Sequence, residues 1–167
     1  MYTLSKAQQA TVISALLEGN SIRSIERMTG VHRYTICRLL VKMGQHCAAI
    51  MDARMRGLKC RYVESDEIWC YVGKKARNIR ESDSPELGDQ WVFVALDAET
   101  KLVPCFEIGK RTKETTLRFL TSLKRKLRED RFQLTTDGFH FYGAVALAQD
   151  DRRLHLLCPI RFTVGKC

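Results

Sequence analysis

The amino-acid sequence predicts an α+β protein, with a helical first segment and a mixed α/β second segment. Up to about residue 57, apolar residues recur at helical spacing. From residue 58 onward, runs of β-branched and aromatic residues alternate with polar turns. Hydrophobic residues make up 45% of the 167 residues and charged residues 28%, a globular balance that excludes a mostly disordered chain.

Composition also excludes a membrane protein and a secreted precursor. The longest apolar run, residues 91–96, is too short to span a bilayer. The amino terminus has no apolar stretch after a basic region, so we expect no secretory signal and a cytoplasmic location. The seven cysteines include no C-x-x-C pair, which favours free thiols over a zinc site.

Positive charge is concentrated in the first segment. The net charge is +9 and the pI about 9.4. Residues 1–62 hold ten basic and three acidic residues, a net +7, whereas residues 63–167 hold eighteen and sixteen, a net +2. This excess predicts a polyanionic partner for the first segment, with nucleic acid as the leading candidate and a merely soluble basic surface as the alternative.

The first segment predicts three helices and a fourth that continues from them. Ser5 and Gln8 form a capping box that opens the first helix, and Gly19 ends it. Ser21 caps a short second helix, and a third runs from about His32 to Met43. A further helix over 45–56 is interpreted as a linker or a dimer contact. The predicted inward residues are Val12, Ile13, Leu16, Leu17, Ile22, Ile25, Met28, Ile36, Leu39, Leu40 and Met43.

The second and third helices form a helix-turn-helix pattern. A glycine-containing turn, Thr29–Val31, joins a short helix to a helix with a basic outer face. In such motifs the second helix enters the DNA major groove. The residues placed at DNA are His32, Arg33, Tyr34, Arg38 and Lys42. Two alternatives remain: a plain three-helix packing unit with a solvated basic face, and His32 acting only as a helix cap.

The second segment begins with a predicted three-stranded meander. The first strand, Tyr62–Val72, is expected to be buried on both faces and interrupted by Ser65, Asp66 and Glu67. A polar, basic stretch over 73–90 leads to a second strand, Trp91–Asp97, and a third strand is expected over 102–108.

A helix, a strand and another helix follow the meander. Thr112 caps a helix to about Arg128, whose inner stripe is predicted as Leu117, Leu120, Leu123 and Leu127. Phe132–Thr136 is a fourth strand, and a helix over 139–148 follows Asp137 and Gly138. This order is the opening of an RNase H-like fold, in which a right-handed crossover returns the fourth strand beside the first.

That topology brings together two aspartates that are 71 residues apart in sequence, Asp66 and Asp137. Two carboxylates in one cleft suit Mg²⁺ or Mn²⁺. Two such ions about 3.5–4 Å apart activate a water or a 3′ hydroxyl and stabilise the leaving oxygen of a phosphodiester. The bland alternatives are an exposed acid at a strand bulge for Asp66 and a common turn dipeptide for Asp137–Gly138.

Several stretches of the chain resemble one known family. They are SIRSIERMTGVHRYTICRLLVKMG, VESDEIWCYVGKKARN, GDQWVFVALDAETKLVPCFEIGKRT and TTDGFHFY, and they span about residues 20–145. The chain resembles the transposases of the insertion-sequence-one family, bacterial enzymes with a DDE catalytic core. The resemblance implies a DNA-binding domain over 1–57 and a partial RNase H-like catalytic domain over 58–167. It also implies a bacterial cytoplasmic protein that binds terminal inverted repeats and target DNA, with a homodimer as a candidate assembly.

The resemblance further implies roles for particular residues. Asp66 and Asp137 match the first two metal-binding carboxylates of the family, which implies Mg²⁺ or Mn²⁺ as cofactor. Lys74, Lys75 and Arg77 would lie near DNA. Asp97 is a weaker metal candidate at the end of the second strand. Strand alternation is expected to point Glu67 away from Asp66.

The carboxyl-terminal part departs from the family pattern. The family has a third acid, usually Glu, on a helix after a fifth strand. Here the only acids after Asp137 are Asp150 and Asp151. A fifth strand is predicted over 154–158, and the residues after Pro159 make only about two helical turns at ~1.5 Å per residue. We therefore expect a truncated, catalytically crippled transposase, with a non-catalytic DNA-binding repressor or a poorly folded pseudogene product as alternatives.

Overall fold

The computed structural model describes residues 4–128, 131–148 and 154–157, which divide into two units between Ala53 and Arg54. The described residues do not include the two acids that follow Asp137, Asp150 and Asp151, or the stretch 158–167. Among the described helices, none combines the length and apolar character needed to cross a bilayer.

The first unit contains three helices, α1 (Lys6–Leu17), α2 (Ile22–Thr29) and α3 (Arg33–Arg54). The predicted capping box is confirmed, because Ser5 Oγ accepts from Gln8 N and Ser5 N donates to Gln8 Oε1. Ser21 Oγ accepts from Ser24 N and caps α2. Gly30 ends α2 with φ +70°, a left-handed conformation that glycine adopts at little cost.

Fewer residues are buried in the core of this unit than the apolar pattern predicts. Its buried residues are Leu4, Val12, Ile25, Val31, Ile36 and Leu39. Three predicted inward residues are wrong: Leu17 is 83% exposed, Met28 59% and Leu40 46%. Each helix turns by about 100° per residue, so Leu40 lies off the stripe that buries Leu39, and the short helices α1 and α2 bury only one side chain each.

Helix α3 is one continuous helix of 22 residues, and the prediction of a separate helix over 45–56 is wrong. Gly44 lies within α3, where a glycine costs only about 1 kcal/mol relative to alanine and does not by itself end a helix. The helix ends at Arg54, before Gly57 with φ +63°.

The second unit is built on a five-stranded mixed sheet in the order β3-β2-β1-β4-β5. The strands are β1 (Tyr62–Val72), β2 (Gly88–Asp97), β3 (Phe106–Gly109), β4 (Phe132–Thr136) and β5 (Leu154–Leu157). The helices are α4 (Lys113–Lys126) and α5 (His140–Ala148), with a 3₁₀ turn at Ala76–Asn78. Strands β1 to β3 pair antiparallel, and β4 lies parallel between β1 and β5. This confirms the predicted return of the fourth strand beside the first.

Strand β1 is continuous, so the prediction of an interruption and of burial on both faces is wrong. Its side chains alternate up to Glu67: Val63, Ser65 and Glu67 are buried, whereas Glu64 and Asp66 are exposed. The polar residues fit a regular strand because each of them is either exposed or, on the buried face, hydrogen-bonded.

Strand β3 is shorter and begins later than predicted. The carboxylate of Asp97 accepts from the backbone N–H and the hydroxyl of Thr100, which builds a turn at the end of β2. Residues 102–105 stay next to β2 through bonds from Asp97 N to Leu102 O and from Ala95 N to Cys105 O. Regular pairing begins at Phe106.

Helices α4 and α5 contact each other, and α4 also contacts β2 and β3. The central side chains of this core are Phe93, Phe119, Leu120, Leu123, Leu134 and Tyr142. The Thr112 cap is confirmed, since Thr112 Oγ1 accepts from Thr115 N. The predicted inward position of Leu117 is wrong: it is 43% exposed, while Thr116 and Phe119 are fully buried.

Replacing Gly109 by alanine is expected to lower the free energy of unfolding by about 1–3 kcal/mol. An alanine Cβ would lie 2.8 Å from Thr115 Oγ1 and 2.9 Å from Thr115 Cγ2. Thr115 is buried in the first turn of α4, so it has little room to move. Chemical denaturation followed by circular dichroism measures the change.

The matched control is Gly44→Ala in α3. No described atom lies within 4 Å of the Cβ that it adds, so we expect a gain of about 0.5–1 kcal/mol from better helix propensity. Equal effects of the two substitutions would contradict the close approach of Gly109 to α4.

Candidate active site

The register of β1 and β4 places the two predicted aspartates at neighbouring positions. The parallel ladder ends at the pair Ser65 and Thr136, and Asp66 and Asp137 are the next residues of each chain segment. Neighbouring strands lie about 4.8 Å apart. Asp66 is exposed, and its Oδ1 accepts from Glu67 N at 2.8 Å. The two residues therefore lie at neighbouring positions on two adjacent interior strands, at the point where β4 ends.

Asp137 is held by the turn that follows β4. Its Oδ1 accepts from Phe139 N at 3.2 Å, and Gly138 between them has φ +92°. Its side chain is 37% exposed, and Oδ2 lies 3.8 Å from Arg111 Nη2. Asp137 thus builds a turn, as the alternative interpretation predicts, and its carboxylate is still partly exposed.

The donor chemistry of these two residues fits a hard divalent cation. Carboxylate oxygens suit Mg²⁺ or Mn²⁺, which keep several waters or phosphate oxygens among their ligands. No group of three or more His, Cys, Asp and Glu that could hold a metal ion is present in the part of the chain that the structure describes. Asp97, the weaker candidate, is buried and engaged with Thr100.

Glu67 points to the opposite face from Asp66, as strand alternation predicts. Its side chain is 1% exposed, and Oε2 accepts from Arg111 Nη2 at 2.8 Å. The same nitrogen lies 3.8 Å from Asp137 Oδ2. One guanidinium nitrogen of Arg111 therefore forms ion pairs with the buried carboxylate of Glu67 and with the partly exposed carboxylate of Asp137.

Two aromatic rings fix the guanidinium of Arg111, which lies in the loop between β3 and α4. Its Cζ is 4.0 Å from the ring centroid of Phe139 and 4.8 Å from that of Trp91. Cation–π contacts of this kind restrict the plane of the guanidinium. Glu67 and Arg111 were not predicted as site residues, although a charged residue on a core-facing strand position is a signal that a partner must exist.

Tyr142 of α5 closes the buried side of the site. Its hydroxyl lies 2.8 Å from Ser65 Oγ. Burial, followed by the neighbouring Glu67 carboxylate, raises the pKa of Tyr142 well above its usual range. The hydroxyl therefore stays protonated, and it links α5 to β1 at Ser65, one residue before Asp66.

The three basic residues predicted to lie near DNA, on the loop after β1, have different surroundings. Lys74 Nζ pairs with both oxygens of Asp83 at 2.7 Å, and this bond lowers the pKa of Asp83. Lys75 Nζ lies 5.4 Å from the ring centroid of Trp69. Arg77 is exposed in the 3₁₀ turn. The charge of Lys74 is thus balanced locally.

The predicted DNA-facing side chains of α3 are all exposed: His32, Arg33, Tyr34, Arg38 and Lys42. His32 Nδ1 accepts from Tyr34 N at 3.3 Å, so the ring also acts as the helix cap that the alternative predicts. Glu26 Oε1 accepts from Arg33 N at 2.9 Å and ties α2 to the start of α3.

The family model described as "IS1 transposase" matches residues 58–163. This chain belongs to the IS1 transposase family. The resemblance carried by the sequence motifs is therefore confirmed. No curated protein matches the chain significantly.

Two solved structures illustrate the likeness beyond the family. The Mos1 mariner paired-end complex with Mn gives a TM-score of 0.40 at 15% identity, covering 94% of this chain and 60% of that chain. The Mos1 strand transfer complex gives 0.38 at 12% identity, covering 98% and 62%. The chain thus spans about three fifths of the length of these proteins. These TM-scores are low, so we assign the fold from the strand order and not from the similarity to these structures.

Proposed function

We propose that this member of the IS1 transposase family cleaves DNA ends and transfers them, using a divalent-metal site held by Asp66 and Asp137. The observation that carries the proposal is the β1/β4 register, in which both aspartates directly follow the last ladder pair. A bound Mg²⁺ or Mn²⁺ supplies an activated water or 3′ hydroxyl and charge stabilisation at the leaving oxygen.

The residues around the pair support this chemistry in distinct ways. Asp66 offers an exposed carboxylate on the open sheet face. The Phe139 N–H orients Asp137 by binding Oδ1. Lys75 and Arg77, on the loop after β1, are placed to bind the phosphates of the DNA strand. Lys74 serves instead to fold that loop, because Asp83 holds its ammonium.

The first unit supplies DNA recognition in this proposal. Helices α2 and α3 with their turn act as a helix-turn-helix that reads the terminal inverted repeats. Arg33, Arg38 and Lys42 lie exposed along α3, where they reach base edges or phosphates. Tyr34 adds an exposed ring next to the His32 cap. The proposed domains are 1–57 for DNA binding and 58–167 for RNase H-like catalysis.

We further propose that cleavage by these 167 residues is slow, because in the described residues no third His, Cys, Asp or Glu joins Asp66 and Asp137 in a group that could hold a metal ion. A DNA-binding repressor is the second candidate function. It is favoured by the location of the basic α3 face in a unit distinct from the one that carries the carboxylates.

Metal removal tests the proposal. The chain is incubated in excess with DNA carrying the terminal repeats of its element, and nicking is followed on a denaturing gel. We expect slow nicking in Mn²⁺ that chelation with EDTA abolishes, because the carboxylates alone supply no nucleophile. DNA binding in a gel shift is expected to persist in EDTA.

The alternatives give different results in the same assay. Specific binding without any nicking in Mn²⁺ supports the repressor. Nicking that is unchanged by EDTA contradicts the metal site. A chain that neither binds nor cleaves, and that is readily digested by proteases, supports a poorly folded product.

A further inference from the structure

Arg111 is shared unequally between two carboxylates. Its Nη2 donates to Glu67 Oε2 at 2.8 Å, whereas Asp137 Oδ2 lies 3.8 Å from the same atom. The first distance is that of a charge-assisted hydrogen bond, and the second exceeds hydrogen-bonding range. The guanidinium is therefore hydrogen-bonded to Glu67 and forms a longer ion pair with Asp137.

The surroundings explain this inequality. The side chain of Glu67 is 1% exposed, while that of Asp137 is 37% exposed. A buried carboxylate has little water to bind, so it attracts a cation more strongly than a hydrated one does. Phe139 and Trp91 hold the guanidinium against their rings, so it can shift between the two carboxylates by only a short distance.

We propose that Glu67 is a positioning residue that holds the guanidinium of Arg111 closer to itself than to Asp137, and so limits its competition with the divalent cation for the Asp137 carboxylate. This inference rests on the proposed metal site. Without the charge of Glu67, Asp137 becomes the stronger of the two partners of Arg111. The guanidinium then closes onto Oδ2, where its positive charge competes directly with the metal ion.

The substitution Glu67→Gln tests this role by metal binding without DNA. Free Mn²⁺ is titrated against the full chain and measured by its electron paramagnetic resonance signal. The apparent Kd for Mn²⁺ is expected to rise about tenfold, the effect of moving a unit charge from the observed 3.8 Å to about 2.8 Å from the carboxylate at an effective dielectric constant of about 20. Glu107→Gln is the matched control, because Glu107 pairs with Arg118 at 2.9 Å elsewhere in the unit.

The double variant Glu67→Gln with Arg111→Gln separates positioning from mere packing. It removes both charges of the pair, so no lone charge is left buried. We expect it to bind Mn²⁺ more tightly than the unsubstituted chain, because the competing cation is gone. Thermal melts show which variants are folded. If Glu67→Gln does not fold, tighter Mn²⁺ binding by the double variant than by the unsubstituted chain supports the inference, and equal or weaker binding overturns it.

Two results would overturn the inference, and a third variant tests the proposed metal site separately. Unchanged Mn²⁺ affinity in folded Glu67→Gln overturns the inference, as does a double variant that binds more weakly than the unsubstituted chain. Asp137→Asn provides the separate check of the proposed function. If it weakens Mn²⁺ binding while Glu67→Gln does not, the metal site stands and the positioning role fails. If Asp137→Asn has no effect, the metal site and the inference fail together.

Discussion

Replacing Asp66 by alanine is expected to lower metal-dependent DNA nicking by more than about a hundredfold, since that is the upper loss for removing a residue that only supports a metal ligand. In the proposed site Asp66 supplies one of the two metal-binding carboxylates, and it directly follows the last ladder pair of β1 and β4. Its side chain is exposed, so alanine removes the proposed metal ligand without opening a cavity. The measurement is the initial rate of strand nicking in Mn²⁺.

Glu64→Ala is the control for this prediction. Glu64 is exposed on the same face of β1, two residues before Asp66, and its removal changes the net charge equally. In the ladder it lies opposite Thr135 of β4 and not beside Asp137. We expect the nicking rate to stay close to that of the unsubstituted chain. Equal losses for the two variants would show that only the acidity of this sheet face matters.

The sequence predicted that Asp66 and Asp137 follow neighbouring strand positions, because these positions depend on regular elements. Strand alternation separates Asp66 from Glu67, and a crossover returns β4 beside β1. The two aspartates then follow from the chain order alone. The sequence did not reveal that β1 is continuous, because three polar residues in a row resemble an interruption until Ser65 and Glu67 are seen to have buried partners.

The Glu67–Arg111 ion pair could not be predicted from the periodicity of strands and helices. The two residues are 44 positions apart, and Arg111 lies in a loop where no period fixes the direction of a side chain. Its position depends on the rings of Trp91 and Phe139, which come from two further elements. In the first unit, by contrast, the caps at Ser5 and Ser21 are local and were predicted correctly.

Replacing Arg38 by alanine is expected to weaken binding to the terminal-repeat DNA by about 10- to 100-fold if Arg38 contacts a base edge, as a bidentate contact contributes about 1–3 kcal/mol. Arg38 is exposed on α3, one turn before Lys42 on the same helix face. Affinity is measured by gel shift on terminal-repeat DNA and on random DNA at several salt concentrations.

The ratio of the affinity for terminal-repeat DNA to the affinity for random DNA distinguishes a base contact from a phosphate contact. A lost base contact reduces binding to the terminal repeat more than binding to random DNA, whereas a lost phosphate contact reduces both alike and makes the salt slope shallower by about 0.9. Lys42→Ala is expected to show the second behaviour, since it lies farther from the start of α3. Lys6, exposed on α1, is the control: its replacement by alanine removes the same charge, and a loss as large as that of Arg38→Ala would mean that the first unit binds DNA through overall charge and not through α3.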